Sequence, residues 1–340
     1  MHSPIRMFHI KDFRYEITRK CNMFCPHCYA NANAQAENSR LPSSVVEKVI
    51  SDLLDMGLEK FSFTGGEPLY AYEDILRYAR ILSPRGVYLR IFSNGTLFTN
   101  ERITELKKAK INEIIISVDG IKSTHDTFRG VDGVFEKAID TLKLLQPHFV
   151  TGARITITSK NYHEIPDLME EYLLPLCLNK YNIKFFIPCG RGINNLEYVC
   201  TSGQHHEVMK YLTHVQKQGY NISFLSNCYA FLWQGIDKLC TCGKHQAYMT
   251  CTGDIQPCGY INVSLGNVQT QSIKDIWKSE HPILKFLRKP QPYDRCKKCI
   301  HFTQCRGGCK ASSYAIYGDI RRTDILCPIG GGIYAPSTHK

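Results

Sequence analysis

No run of about eighteen apolar residues occurs in this 340-residue chain, so no segment has the length of a membrane-spanning helix. Residues 1–13 also lack the apolar stretch of a secretory signal peptide. Basic residues outnumber acidic ones, 42 to 31, but they form no dense run with interleaved aromatic residues, which argues against a nucleic-acid partner. These absences predict a cytoplasmic protein that has neither a membrane nor a nucleic acid as its partner.

Cysteine, by contrast, is abundant, with 16 residues in the chain. Because cytoplasmic thiols stay reduced, so many cysteines indicate metal centres rather than disulfides. Hydrophobic residues make up 43% of the chain and charged residues 21%, which is ordinary for a globular protein. The length allows two domains and a sizeable core.

Three cysteines near the start of the chain stand apart from the others. Cys21, Cys25 and Cys28 have the spacing C-x3-C-x2-C, and the next cysteine is Cys177. Three thiolates on one short loop can hold three corners of a cube-shaped iron–sulfur cluster, and the missing fourth cysteine leaves one iron open to a non-protein ligand. The spacing also allows a zinc site with His27 as the fourth ligand.

A second motif follows the next apolar strand pattern, where FSFT precedes the segment Gly65-Gly66-Glu67-Pro68. Two glycines at a strand end let the backbone approach a ligand closely, and the proline ends the strand. A C-x3-C-x2-C loop after the first strand and GGEP after the second together resemble the radical S-adenosylmethionine (radical SAM) superfamily. The resemblance implies that the open iron of a [4Fe–4S] cluster binds S-adenosylmethionine (SAM), whose reductive cleavage gives a 5′-deoxyadenosyl radical that abstracts hydrogen from a substrate.

The same resemblance implies which residues contact SAM. His27 holds the position where a ring often meets adenine, Glu67 and the glycine backbone are presented to the methionine amine, and Arg129 resembles an arginine that pairs with the carboxylate. Asn-Gly and Asp-Gly pairs, which contribute two of the contacts, are ordinary turns as well. The full set of predicted contacts is His27, Gly65, Gly66, Glu67, Ser93, Asn94, Ser117, Asp119 and Arg129.

Strand and helix patterns alternate from Phe13 to Pro188 and form six βα units. Apolar strands of this kind predict a parallel sheet covered by helices, and six units are too few to close an eight-stranded barrel. We therefore expect an α/β fold with an open, partial (β/α)6 TIM-like barrel, which the resemblance also implies. The cysteine loop and GGEP follow strand ends, where βα barrels carry their reactive loops.

A second cysteine-rich region begins at Cys240. Cys240, Gly253 and Cys258 fit the pattern C-x9–15-G-x4-C, and four later cysteines fit C-x2-C-x5-C-x3-C before Cys327. These spacings resemble the SPASM extension of radical SAM enzymes, for which a zinc ribbon is the alternative. The predicted domains are a radical SAM partial barrel (1–190), a connector (191–238) and a small SPASM domain (239–340).

The SPASM resemblance implies one or two auxiliary iron–sulfur clusters in addition to the SAM-binding cluster. The ligands implied for one auxiliary cluster are Cys296, Cys299, Cys305 and Cys327. The ligands implied for the other are Cys240, Cys258 and Cys309. Cys242 is the preferred fourth ligand of this second set, with Cys251 or an open iron as the alternatives.

Other cysteines and a histidine pair lie outside these sets. Cys177 is expected to fill the core. Cys189 follows the sixth strand at the barrel mouth and could donate a hydrogen atom to a substrate radical, although a small buried residue is the simpler interpretation. His205 and His206 are interpreted as a solvated helix end rather than a metal site.

These features predict a radical SAM/SPASM enzyme of the oxidoreductase type. The expected function is to modify a ribosomally made peptide or protein by cross-linking, epimerisation or another maturation step. The first alternative is radical oxidation, decarboxylation or coupling of a small molecule in cofactor, tetrapyrrole or sugar biosynthesis. The second alternative is a zinc-stapled interaction protein without catalysis.

The expected partners follow from this function. Only about twelve residues precede the first strand, whereas many peptide maturases carry a leader-binding domain there, so a peptide would need a separate leader-binding protein or direct docking. An electron donor such as flavodoxin or ferredoxin is expected to supply the electron. Three clusters would lower the formal net charge from +11 to about +6, and the remaining excess suits an acidic peptide or an anionic small molecule.

Overall fold

The computed structural model describes residues 8–36, 40–225, 240–327 and 329. One sheet forms the centre of the molecule. Its strands are β1 (Asp12–Thr18), β2 (Lys60–Gly65), β3 (Tyr88–Ser93), β4 (Glu113–Ser117), β5 (Val150–Ile157), β6 (Lys180–Phe185), β7 (Ile222–Leu225), β8 (Gln246–Met249) and β9 (Ile255–Gln256). Their order across the sheet is β7-β6-β5-β4-β3-β2-β1-β8-β9.

All neighbouring strands of this sheet are parallel except β8 and β9, which are antiparallel. In the part of the chain that the structure describes, β7 and β9 end the sheet without pairing to each other, so the sheet does not close. The α/β class and the open, partial barrel expected from the sequence are therefore confirmed.

Helices connect the parallel strands and cover one face of the sheet. Seven of them are α1 (Ser43–Asp55), α2 (Tyr72–Leu82), α3 (Asn100–Lys108), α4 (Lys122–Arg129), α5 (Val134–Leu145), α6 (Ile165–Asp167) and α7 (Ser202–Lys217). Helix α6 passes into a π-helical segment (Leu168–Leu173) and then into a 3₁₀ turn over Leu174–Leu176. Pro175 lies in that turn and cannot donate the backbone hydrogen bond that a longer helix would need. Across the described residues, no helix combines the length and the apolar character needed to cross a membrane.

Each strand presents two chemically different faces. In β1, Phe13, Tyr15 and Ile17 are buried in the large apolar core with the helices, whereas Arg14 and Glu16 point to the opposite face. The same alternation places charged or polar residues from β2, β3, β5 and β6 on that second face. The fold therefore builds a polar interior that opens at the carboxyl ends of the strands.

The sheet extends beyond the six predicted strands in both directions. The predicted connector contributes α7 and then β7, which pairs with β6; residues 226–238 of that connector lie outside the described part of the chain. The predicted SPASM region contributes β8, whose residues Gln246–Met249 pair with Asp12–Tyr15 of β1. These two strands have four residues each, too few for periodicity to identify them.

Two side-chain expectations are wrong. Cys177 is exposed rather than in the core, because it adopts a left-handed conformation (φ 50°) that ends the preceding helical turn at the surface. His205 is only 4% exposed rather than solvated. It lies on the stripe of α7 that also buries Val208 and Leu212, and its ring packs 4.0 Å from that of Phe185.

Candidate functional site

The cysteine loop leaves β1 and folds back on itself beside the sheet. The backbone N–H of Cys21 donates to the carbonyl of Asn33, and the N–H of Cys28 donates to the carbonyl of Cys25. Cys21, Cys25 and Cys28 share one small apolar cluster with Met23, and all three thiols line the same cavity. The loop thus brings the three predicted cluster ligands together on one side.

Gly65 and Gly66 hold this loop in place. The N–H of Gly66 donates to the carbonyl of Thr18 at 2.6 Å, and the N–H of Glu67 donates to the carbonyl of Lys20 at 2.8 Å. A Cβ atom on Gly66 would lie 2.3 Å from the Lys20 carbonyl oxygen, and one on Gly65 would lie 2.2 Å from that of Thr18. The close approach that needs glycine here is to the entry of the cysteine loop.

Glu67 joins the ends of β2 and β3. Its buried carboxylate accepts hydrogen bonds from the hydroxyl of Ser93, from the N–H of Asn94 and from the N–H of Leu69. Burial raises the pKa of this carboxyl group to about 7 despite the three donors. Because these partners engage it, the carboxylate does not line the cavity, whereas Gly65 and Gly66 of the same motif do.

Asp119 organises a buried network at the end of β4. Its carboxylate pairs with the guanidinium of Arg129, accepts from the N–H of Thr156 at 2.8 Å and lies 3.4 Å from Nε2 of His27. The nearby guanidinium holds the pKa of Asp119 well below its usual range, although burial opposes that shift. Nη1 of Arg129 in turn lies 3.8 Å from Sγ of Cys25. The network fixes a cation beside a predicted cluster ligand.

His27 and His125 flank the same network. The His27 ring packs against Phe128, at 5.3 Å between ring centroids, and its Nδ1 is a buried atom with no hydrogen-bond partner among the described residues. His125, which sequence reasoning missed, accepts the N–H of Asp119 through Nδ1. Burial lowers the pKa of His125 to about 4, so the ring is neutral and can accept that hydrogen bond.

The cavity beside the triad receives most of the predicted SAM contacts. Glu67 and Asp119 stand outside its lining. The predicted residues that do line it are Cys21, Cys25, Cys28, His27, Gly65, Gly66, Ser93, Asn94, Ser117 and Arg129. This donor set of three thiols, glycine backbone and one guanidinium fits a cluster and an amino-acid ligand.

Sequence reasoning missed a second group of cavity residues. Phe92 on β3, Arg154 on β5, Lys184 on β6 and Tyr260 of the cysteine-rich region line the same cavity. The sequence does contain a sign of Arg154 and Lys184, because each is the charged residue of an otherwise apolar strand segment, ARITI and NIKFF. Because helices cover one face of such a strand, the charge must point to the other face.

The first C-terminal cysteine set is also brought together. The thiol of Cys242 lies within hydrogen-bonding reach of those of Cys240 and Cys258, and Cys309 belongs to the same apolar cluster as Cys242 and Cys258. Cys189 packs against this cluster from the end of β6.

Cys251, the alternative fourth ligand, is buried in different surroundings. Cys251 is not a member of the apolar cluster that contains Cys242, Cys258 and Cys309. This placement favours Cys242 over Cys251 as the neighbour of the other three thiols.

The second C-terminal set surrounds a separate cavity of about 610 Å³. Cys296, Cys299, Cys305 and Cys327 all line it. The N–H of Gly308 donates to the carbonyl of Cys305 at 3.0 Å, and burial raises the pKa of the Cys305 thiol, a shift that the backbone of Gly307 and Gly308 partly opposes. Across the described residues, no three His, Cys, Asp or Glu side chains converge as ligands of a single metal ion. Four cysteine thiols around one cavity are a ligand set that an iron–sulfur cluster can use.

Comparison with known proteins agrees with this arrangement. The model of the radical SAM superfamily matches residues 15–172, and that of the SPASM iron–sulfur cluster-binding domain matches residues 240–300. The chain therefore belongs to the radical SAM superfamily and carries a C-terminal SPASM domain. It is a radical SAM enzyme whose cofactors are a [4Fe–4S] cluster, SAM and auxiliary iron–sulfur clusters.

Several relatives share most of the chain. An AdoMet-dependent heme synthase of Nitratidesulfovibrio vulgaris is 26% identical over 93% of this chain and 92% of its own length. The subtilosin biosynthesis protein AlbA of Bacillus subtilis is 27% identical over 87% of this chain and 66% of its own. Among solved structures, Streptococcus suis SuiB bound to the precursor peptide SuiA has a TM-score of 0.75 at 17% identity, covering 94% of this chain and 76% of SuiB. Native anSMEcpe with bound AdoMet has the same TM-score at 20% identity, covering 94% of each chain.

Proposed function

We propose that the cavity beside Cys21, Cys25 and Cys28 binds the [4Fe–4S] cluster and SAM, and that a substrate loses a hydrogen atom there. What supports this is one observation: three thiols, the Gly65–Gly66 backbone and the Arg129 guanidinium line a single cavity. When bound, the reduced cluster supplies the electron that cleaves SAM to the 5′-deoxyadenosyl radical. An external donor such as flavodoxin or ferredoxin would provide that electron.

Side chains around the triad would hold and adjust the cluster. Arg129 lies 3.8 Å from the thiol of Cys25, and the amide nitrogen of Asn94 lies 3.9 Å from that of Cys21. Donors to cluster sulfurs stabilise the reduced, more negative form. Asp119 keeps the guanidinium in that position, so we assign Asp119 a positioning role.

The auxiliary ligands follow from the two C-terminal groups of thiols. We assign Cys296, Cys299, Cys305 and Cys327 to one cluster, since one cavity contains them all. Cys240, Cys242, Cys258 and Cys309 are assigned to the other. Residues 1–190, 191–238 and 239–340 remain our division into barrel, connector and SPASM domain, with β7 and β8 extending the barrel sheet.

A ribosomally made peptide or protein is the first candidate substrate. Relatives named for peptide chemistry, AlbA and a PqqA peptide cyclase, match 87% and 92% of this chain. Such a peptide would reach the cavity either with a separate leader-binding protein or by docking there directly. A short cysteine- or glycine-rich peptide gene beside this one would support that choice.

A tetrapyrrole is the second candidate substrate. What supports it is that three relatives named AdoMet-dependent heme synthase, at 26–28% identity, match 92–95% of this chain and 86–96% of their own length. A pre-heme d1 synthase matches 92% of the chain at 23% identity.

The triple substitution of Cys21, Cys25 and Cys28 by Ala tests the proposed site. We expect the anaerobically reconstituted variant to lose about four irons per chain and to make no 5′-deoxyadenosine from SAM with dithionite, because the SAM-binding iron is gone. Cys177→Ala, at an exposed thiol, is the control and should keep both. Formation of 5′-deoxyadenosine by the triple variant would show that the site lies elsewhere.

A further inference from the structure

Three guanidinium groups converge inside the barrel around one aromatic ring. The centroid of the Phe92 ring lies 4.3 Å from the guanidinium carbon of Arg154, 5.3 Å from that of Arg90 and 5.9 Å from that of Arg14. Like charges this close repel one another, and the ring faces offset only part of that repulsion. The polar interior therefore carries a positive potential next to the cavity of the triad.

Lys184 adds a fourth cation nearer to the cavity mouth. It is 3% exposed, and its ammonium nitrogen lies over the ring of Tyr260, 2.7 Å from the centroid. In the register of β5 with β6, Lys184 pairs with Thr156, two residues beyond Arg154 toward the carboxyl end. Arg154 and Lys184 both line the cavity.

Neither of these two cations has a carboxylate partner in the described part of the chain, whereas two other cations of the interior do. Arg90 and Lys180 pair with the carboxylate of Glu113. Within the described residues, no carboxylate forms an ion pair with Arg154 or Lys184, and Nε of Arg154 is buried without a hydrogen-bond partner.

Burial shifts the protonation of both groups. It lowers the pKa of Arg154 and lowers that of Lys184 to about 7. A buried cation without a partner costs stability, and such a cost is typical of a site that a ligand completes.

We propose that Arg154 and Lys184 bind a carboxylate group of the substrate. This inference rests on the proposed function and specifies the chemistry of its substrate. The substrate is an anion whose carboxylate accepts hydrogen bonds from the planar guanidinium of Arg154 and from the ammonium group of Lys184, beside the rings of Phe92 and Tyr260. Peptides with acidic side chains and tetrapyrroles with carboxylate side chains both supply that group. Lys184 is also influenced by the thiols of Cys258 and Cys309, which are assigned to an auxiliary cluster, whereas the main influences on Arg154 are Tyr260, Tyr29 and two arginines. The assignment therefore depends chiefly on Arg154.

Binding of matched probes to the anaerobic holoenzyme tests this assignment. One pair is a metal-free porphyrin tetracarboxylate and its tetramethyl ester; the other is a fluorescent peptide containing glutamate and the same peptide with glutamine. The dissociation constants are measured by fluorescence anisotropy. We expect the wild type to prefer the carboxylate member of one pair, and Arg154→Met and Lys184→Met each to lose roughly tenfold or more of that preference. The pair that shows the preference identifies the substrate class.

Two kinds of variant separate charge from structure. Lys180→Met removes a cation from the same strand, at the far end from the cavity, and should keep the preference. Arg154→Lys and Lys184→Arg keep the positive charge and should retain much of the preference for the carboxylate probe. These two variants test the proposal even if the Met variants do not fold. The proposal is overturned if the wild type shows no carboxylate preference for either pair, if the Met variants keep it, or if they lose affinity for SAM alone. Formation of 5′-deoxyadenosine by the wild type tests the proposed function separately.

Discussion

At the scale of single residues, backbone contacts of the GGEP motif hold the cysteine loop in position. Two backbone hydrogen bonds tie residues 66 and 67 to Thr18 and Lys20, and glycine is required because a Cβ atom would meet carbonyl oxygens. The buried Glu67 carboxylate then connects this corner to the end of β3. The position of the three thiols thus depends on residues about forty positions later in the chain.

Gly66→Ala should therefore disturb the triad without touching a thiol. The added methyl group would lie 2.3 Å from the Lys20 carbonyl oxygen, and a backbone atom cannot rotate away as a side chain can. We expect a loss of stability of roughly 1–3 kcal/mol and loss of the SAM-binding cluster, about four irons, with the auxiliary iron retained. Iron content and the thermal unfolding midpoint measure the two effects.

Gly203→Ala is the matched control, because a Cβ there meets nothing closer than 3.9 Å. It lies in α7 and should leave the iron content unchanged and the stability equal or slightly higher. Wild-type iron and SAM cleavage in Gly66→Ala would show that the loop does not depend on this contact.

The sequence predicts the ligands better than their surroundings. Cysteine spacing is local, so Cys21, Cys25 and Cys28 are found without a structure, and the cavity contains all three. Arg154 and Lys184 lie on different strands, and only the parallel register of β5 with β6 makes them neighbours. The buried partners of Glu67 likewise come from an adjacent strand end, which no spacing along the chain reveals.

At the scale of elements, α7 shows that the position of a residue on a helix can decide whether its side chain is buried, even when the residue type favours solvent. A capping box formed by Thr201 and Gln204 fixes where the helix starts. His205 then falls on the buried stripe, where burial lowers the pKa of its ring to about 4. Histidine in the unfolded chain titrates near 6.5, so the folded state binds fewer protons between these values.

Stability should consequently fall as the pH drops below about 6.5. The pKa of this histidine is lower in the folded state than in the unfolded state. Its contribution to stability is therefore fully present above the pKa of the unfolded state and is lost as the pH falls toward the pKa of the folded state. Between pH 8 and pH 5.5, the wild type should lose on the order of 1–2 kcal/mol more than His205→Leu. Urea unfolding of both proteins at the two pH values measures the difference.

His206→Leu serves as the control, since this neighbour is exposed. It should retain most of the pH dependence of the wild type, because burial lowers the pKa of His205 more than the charge of His206 does. An equal pH dependence in His205→Leu would mean that the buried ring does not titrate as its surroundings imply.

At the scale of the whole molecule, one continuous sheet carries both cysteine-rich regions. β1 leads into the triad, and β8 leads through the neighbouring strand β9 toward Cys258, which follows it. The second C-terminal set is different, because the described residues that line its cavity all fall between Arg295 and Ile329. Loss of that cluster should therefore affect the end of the chain first.

Cys305→Ala tests this separation. We expect the variant to lose about four irons and product formation while it keeps some cleavage of SAM, because the triad remains intact. Iron content, 5′-deoxyadenosine and circular dichroism on the same sample distinguish a lost cluster from a lost fold. A folded variant with unchanged product yield would show that this cluster is dispensable.

The pairing of β8 with β1 also constrains how the protein is made. Asp12 leaves the ribosome 234 residues before its partner Gln246 (246 − 12), an interval of roughly 10–50 s at ordinary rates of synthesis. Throughout that time, one edge of β1 has none of the backbone partners that β8 provides, and unpaired edges invite pairing with other chains. The nascent chain therefore has an unpaired strand edge next to its cysteine triad until β8 is made, and a chaperone bound there would protect both the fold and the thiols.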